Sequence, residues 1–243
     1  MPTKYLAISA DAKTRKGETG GYLTGILYLA PGNLSGREFC PDRTPGCTAD
    51  CLFTAGRGVT APVYAGRMRK SLEFTANPKD FVTMLKHDIH ALLRKAEREG
   101  LTPLVRLNGT SDLPWENITD IYGCSLMACF PGVQFYDYTK SSVRMKSFLS
   151  RAAYGNFPPN YHLTFSRSES NHEHVMACLK LGGNVAIVFS TRKHNVLPAW
   201  WYEYPVMDGD LNDVRHTGAQ GVVIGLRAKG KARRSHSGFV VEV

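Results

Sequence analysis

The sequence has no apolar run approaching the ~18 residues that a membrane span needs. Its first residues, MPTKYLAISADAKTRKG, hold too short an apolar stretch for a secretory leader. There is no GxxxxGK(S/T) loop and no GxGxxG behind a strand, so the common phosphate-cradling signatures are missing. Low-complexity tracts and linkers are absent too. These absences exclude a membrane-spanning or disordered chain, and they predict a soluble cytoplasmic protein forming one domain over residues 1–243. Acidic residues are in short supply: 21 Asp and Glu stand against 30 Lys and Arg, a net charge of +9. What remains is ordinary globular composition, 43% hydrophobic and 21% charged.

The positive charge is clustered. Lys13, Arg15 and Lys16 form one group, Arg57, Arg67, Arg69 and Lys70 a second, and Arg227, Lys229, Lys231, Arg233 and Arg234 a third. Clusters of this kind suit an anionic partner, nucleic acid first among them, and equally a solvated surface.

Runs rich in Val, Ile, Tyr and Phe predict strands at 5–8, 25–30, 104–107, 133–138, 161–165, 185–189, 204–207, 222–226 and 239–243. VAIVF and VVIGL are continuously apolar, as strands buried on both faces are. Helices are predicted at 78–99, 114–129, 141–154 and 169–181. The first has Asn77 as N-cap, Pro78 at its first position and Gly100 as its stop. Alternating helix and strand argues for a parallel sheet with crossover helices. The expected fold is therefore α/β, a single-domain (β/α) barrel that is incomplete or irregular, with a doubly wound open sheet as the alternative.

In such folds chemistry sits where strands end. The positions after the predicted strands are polar: Asn108 to Asp112, Asp137 to Lys140, Ser166 to Glu169, Ser190 to Lys193, Asp208 to Arg215, and Arg227 to Gly230. The candidate catalytic residues are Asp112, Asp137, Lys140 and Arg167. Asn108, Ser166 and Glu169 are the candidate cofactor contacts.

Of six cysteines, Cys40, Cys47 and Cys51 share one Pro- and Gly-rich loop with C-x6-C-x3-C spacing. Three thiolates on a turn-rich loop suit a soft metal centre. A [4Fe–4S] cluster so held leaves one iron open, for S-adenosylmethionine or a further side chain. Zinc with three Cys and a fourth ligand is the alternative. Cys124, Cys129 and Cys178 lie on expected helices and read as core residues; no disulfide is expected. His172-Glu-His174 has the form of a nuclease His-x-His pair, but it opens a helix. Trp115, Trp200, Trp201 and Tyr202 suit base stacking or core packing.

Read together, the cysteine loop, VRLNGTSDLPWE, VQFYDYTKS, NYHLTFSRSES and the tail VVIGLRAKGKARRSHSGFVVEV resemble the phage gene product 88 family, from about residue 25 to the end. The resemblance implies a small iron–sulfur barrel related to radical S-adenosylmethionine proteins, acting in the host cytoplasm. The family's loop opens C-P-G and closes C-Y, where this chain has Cys40-Pro-Asp and Cys51-Leu. Three functions follow as expectations. One is a radical enzyme acting on a nucleic acid or nucleotide. Another is a zinc-dependent base-exchanging barrel with Asp112 or Asp137 as nucleophile. The third is a non-catalytic nucleic-acid binder with a structural or redox-sensing cluster.

Overall fold

The computed structural model describes residues 4–9 and 11–243. Its elements, in chain order, are β1 (Leu6–Ile8), α1 (Ala12–Thr19), β2 (Tyr22–Leu27), α2 (Pro45–Ala49), α3 (Ala61–Ala76), α4 (Pro78–Glu99) and β3 (Thr102–Arg106). Next come α5 (Leu126–Cys129), β4 (Gln134–Thr139), α6 (Ser142–Leu149), α7 (Arg151–Tyr154), β5 (Tyr161–Ser166) and α8 (His172–Lys180). The chain continues through β6 (Val185–Phe189), β7 (Trp200–Trp201), β8 (Tyr204–Asp208) and β9 (Val223–Arg227).

The strands form one sheet in the order β1-β2-β3-β4-β5-β6-β9-β8-β7. All neighbours are parallel except the two outermost pairs, β1–β2 and β7–β8. From β2 to β6 each strand lies beside the one before it, so the carboxyl ends of these strands share one rim. The α/β class is as expected. Closure into a barrel is not observed: the sheet ends in β1 on one side and β7 on the other.

Period-two alternation sorts the side chains to two faces. One face carries Val105, Leu107, Phe135, Leu163, Phe165, Val185, Ile187 and Phe189 into the main core. Helices α4, α6 and α8 cover it. α4 forms as the sequence dictates. Asn77 accepts the Asp80 N–H, Pro78 stands in the first turn, and Gly100 ends the helix at φ 65°. Its buried side chains are Phe81, Val82, Leu85, Ile89, Leu92 and Ala96.

The other face is polar and is filled by the connection between β8 and β9. Asp213 on that connection is 5% exposed. It accepts Arg106 Nη1 at 2.9 Å, Tyr136 Oη at 3.1 Å and Tyr138 Oη at 3.3 Å. Arg215 donates to Tyr138 Oη at 2.6 Å and to the Gly209 carbonyl at 2.6 Å. Lys13 of α1 reaches the Gly209 carbonyl at 2.8 Å and Asp210 at 3.1 Å. Sheet curvature thus brings elements from its two ends together around a buried ion network.

Several local expectations are corrected. Residues 114–129 are not one helix. The Asp120 carboxylate accepts the N–H groups of Tyr122 and Cys124 and pairs with Lys86. That turn leaves a 3-10 turn at Trp115–Asn117 and the short α5. The predicted helix over 141–154 breaks at Ser150 into α6 and α7. The tail 239–243 contributes only a bridge between Phe189 and Val241. Cys124 and Cys129, expected as unpaired core residues, are joined as a disulfide, with Cα atoms 6.3 Å apart across α5. Cys178 is a core residue, 4% exposed. Among the described residues no helix is long and apolar enough to cross a membrane.

Candidate metal centre at the strand-end rim

After β2 the chain runs through Cys40 and turns into α2. Thr44 caps α2, its hydroxyl oxygen accepting the Cys47 N–H at 3.2 Å. Pro45 takes the first helical position, where no amide donor is required. The loop's grip comes from a distant strand. Glu169, beyond β5, accepts the Gly46 N–H at 2.7 Å and the Thr44 hydroxyl at 2.8 Å. A side chain at Gly46 would place Cβ 2.6 Å from that carboxylate, so the close approach requires glycine. Burial works against an ionised Glu169, but hydrogen bonds, those from Gly46 and Thr44 among them, hold it below the usual carboxylate range.

The other strand ends close on the same loop. After β3, the Asp112 N–H donates to the Phe39 carbonyl at 2.8 Å. The Cys40 thiol faces the Thr110 carbonyl at 3.8 Å and accepts the Gly32 N–H at 3.4 Å. After β4, the Lys140 N–H donates to Asp112 at 2.8 Å, and the Lys140 ammonium stands 5.5 Å from the Phe239 ring. After β5, Arg167 donates to the carbonyls of Gly238 and Phe239 at 2.8 and 2.9 Å. After β9, Gly230 packs on Ala55, and Ser235 and Ser237 both bond the Asp50 carboxylate. Loops from β2, β3, β4, β5 and β9 therefore meet around the three cysteines.

All three thiols are half-buried. Burial pushes the Cys40 thiol up to about 12, and the charges of Asp112, Cys51 and Cys47 push the same way. Burial also raises Cys51, against the opposing pull of Lys140 and Arg67. The three sulfurs thus lie within electrostatic reach of one another in a setting that holds thiolates poorly without added positive charge. Among the described residues no three Cys, His, Asp or Glu side chains are drawn tightly enough together to hold one metal ion.

Asp112, Lys140, Arg167 and Glu169 stand at this rim with the cysteines. Asp112 is held by Arg144 Nη1 at 2.7 Å, and Arg144 also pairs with Glu116 at 2.7 Å. Asn108 and Asp137 lie deeper. Asp137 is 1% exposed and accepts the Asn108 N–H and the Tyr161 hydroxyl, both at 2.7 Å. Asn108 Oδ1 accepts from the Ser111 hydroxyl, the Leu113 N–H and the Trp115 indole. These two residues brace the rim from beneath it. The Ser166 carbonyl accepts Asn171 Nδ2 at 3.0 Å, which sets the turn into α8.

Sequence reasoning missed Thr44, Asp50, Arg144 and Arg67. The Thr-Pro pair before Cys47 was a readable capping signal. Nothing local announced the others.

In the third basic cluster, Arg227 pairs with Asp208 and Asp210, and Lys229 with Asp210. Lys231, Arg233 and Arg234 are exposed and make no ion pair among the described residues. Of the second cluster, the Arg57 side chain lies outside the described residues. Arg69 pairs with Glu73. Trp115 is fully buried, while Trp200 and Tyr202 are exposed, 62% and 65%. His172 packs against Trp201 and Tyr202.

Fold and rim together define an α/β protein with an open, largely parallel sheet and a cysteine loop clasped by its strand ends. The family description that matches is gene product 88, over residues 6–242, and the chain belongs to that family. Comparison with curated proteins and with solved structures gave no match.

Proposed function

We propose that Cys40, Cys47 and Cys51 hold an iron–sulfur cluster and that the chain is a radical S-adenosylmethionine-like enzyme acting on a nucleic acid or nucleotide. The observation that carries the reading is the gathering of three mutually interacting thiols under loops from five strand ends. The donor set suits this group better than zinc. One zinc ion draws its sulfurs to ~2.3 Å from a single point, a convergence this loop lacks. In a four-iron cluster each cysteine reaches a separate iron.

When bound, such a cluster supplies one electron and an open iron for a further ligand. The chain's own residues do the rest. Glu169 fixes the start of α2 and with it Cys47. Lys140 adds positive charge beside Cys51, Asp112 and Glu169. Arg167 holds the tail segment 238–239 across the rim. Asp112 and Lys140 are the polar groups placed to meet a substrate. Lys231, Arg233 and Arg234, unpaired and following β9, supply the surface for an anionic partner.

Anaerobic isolation with iron and sulfide analysis tests the metal. The expected product is brown, absorbs near 400 nm and carries about four irons per chain. Cys47→Ala should lose the iron. Colourless protein with stoichiometric zinc would leave the base-exchange alternative in its place.

A further inference from the structure

Arg67, on α3, is a buried cation without a settled counter-charge. It is 8% exposed, and its Nε and Nη1 meet no hydrogen-bond partner. Its guanidinium lies between two aromatic rings, with Cζ 5.0 Å from the Tyr28 centroid and 5.0 Å from the Phe53 centroid. Those rings stabilise a cation but accept no N–H in the plane of the guanidinium. The chain from Cys51 to Gly58 bends around the head group. A Cβ at Gly58 would lie 2.5 Å from the Phe53 carbonyl oxygen and 3.3 Å from Arg67 Nη1. Buried charges are otherwise paired, and the other arginines beneath the rim follow that rule: Arg144 with Asp112 and Glu116, Arg106 with Asp213. At Arg67 the groups of opposite sign that bear on the charge are the Tyr28 phenol and the Cys51 thiol. Tyr28 is a weak candidate, since its hydroxyl already donates to Asp11 at 3.1 Å.

We propose that Arg67 is the outer-sphere cation of the three-cysteine loop, placed to offset the negative charge that Cys51 carries once the loop holds its iron–sulfur cluster. The inference rests on the cluster reading above. It assigns Arg67 a positioning role: the residue binds no iron, but it favours the more negative, reduced state of whatever the thiolates hold. Three thiolates around a four-iron core leave net negative charge, and reduction adds one unit more. A buried guanidinium beside one thiolate stabilises both states and the reduced one more. The aromatic sandwich keeps the cation in place through that change.

The test uses the full chain, isolated anaerobically, as wild type, Arg67→Met, Arg67→Lys and Arg69→Met. Readouts are iron and sulfide per chain, the midpoint potential from a dye-mediated titration followed by electron paramagnetic resonance, and the melting temperature of the metal-free protein. Arg67→Met should shift the midpoint negative and lower iron retention, with Arg67→Lys recovering much of both. Arg69→Met removes a charge from the same helix and should leave the midpoint unchanged. If metal-free Arg67→Met melts well below wild type, Arg67→Gln takes its place with the same expected shift. An Arg67→Met or Arg67→Gln cluster with wild-type potential and iron content would overturn the assignment to Arg67 while leaving the cluster reading intact. Wild-type protein free of iron and sulfide would overturn both.

Discussion

Asp137 shows what one buried carboxyl does to the pH profile. Burial is the largest influence on it and pushes its pKa up to about 7, outweighing Arg106 and the Tyr161 and Asn108 donors. A folded-state pKa above the unfolded value of ~3.9 means that folding favours the protonated form. Its contribution is fully present below pH ~4 and is lost as pH climbs through about 7. Asp137→Asn cannot ionise, so its melting temperature should stay flatter than that of wild type between those limits. Parallel melting curves across that window would refute the effect. Glu169 has the opposite sign. Its folded pKa lies below the usual value, so its contribution is present above pH ~4.5 and fades in acid. Glu169→Ala strands the buried Gly46 N–H, which should cost about 1–3 kcal/mol. Alkylation of Cys47 in the metal-free protein should quicken as the start of α2 loosens. Unchanged alkylation would mean that Glu169 does not clasp the loop.

Helix α4 carries much of the core at the scale of single elements. Leu92 is fully buried, and its Cδ2 lies 3.1 Å from where a Cβ at Gly25 would stand. Leu92→Ala should cost about 2–5 kcal/mol in chemical denaturation. Leu72 of α3, 54% exposed, should change stability by about 0.5 kcal/mol or less. α4 was legible in the sequence because cap, first-turn proline, periodicity and stop all agree. Residues 114–129 misled because their apolar spacing survives while Asp120 diverts the backbone into a turn. α1 was invisible. It buries only Thr14 and Gly17, and its evidence is the capping box between Asp11 and Thr14. The two-residue β7 is too short to show a period. The rim was legible for a simple reason: parallel strands put their carboxyl ends on one side, so polar residues after each strand converge. What decides whether those residues face solvent or brace the loop lies far along the chain. Asp50 meets Ser237 from 187 positions away, a contact no local pattern encodes.

For the whole molecule, the charge left over after internal pairing decides what surface remains for a partner. Arg227 and Lys229 are spent on Asp208 and Asp210, so their replacement should act on stability rather than binding. Lys231, Arg233 and Arg234 are the ones free to meet phosphates. If each does, replacing all three with alanine should reduce the slope of log affinity against log salt by about two to three units. The assay is binding to single- and double-stranded DNA and RNA at graded salt. A triple variant whose slope equals that of wild type would remove these side chains from the interface. Variants at Arg227 test the converse: the melting temperature should fall while the salt slope holds.

The bonds from Asp50 to Ser235 and Ser237, and from Arg167 to Gly238 and Phe239, also order events in time. A chain growing from its amino end makes Cys51 long before it makes residue 235. While it is being translated, the cysteine loop has no lid and Asp50 no partner. Enclosure must wait until the final stretch has left the ribosome and folded back across the rim. Metal delivery therefore has an interval of open access that closes with the completion of synthesis. A chain stopped before residue 235 should remain in the open state, its cysteines alkylated fast and its iron stripped by chelators that the whole chain resists.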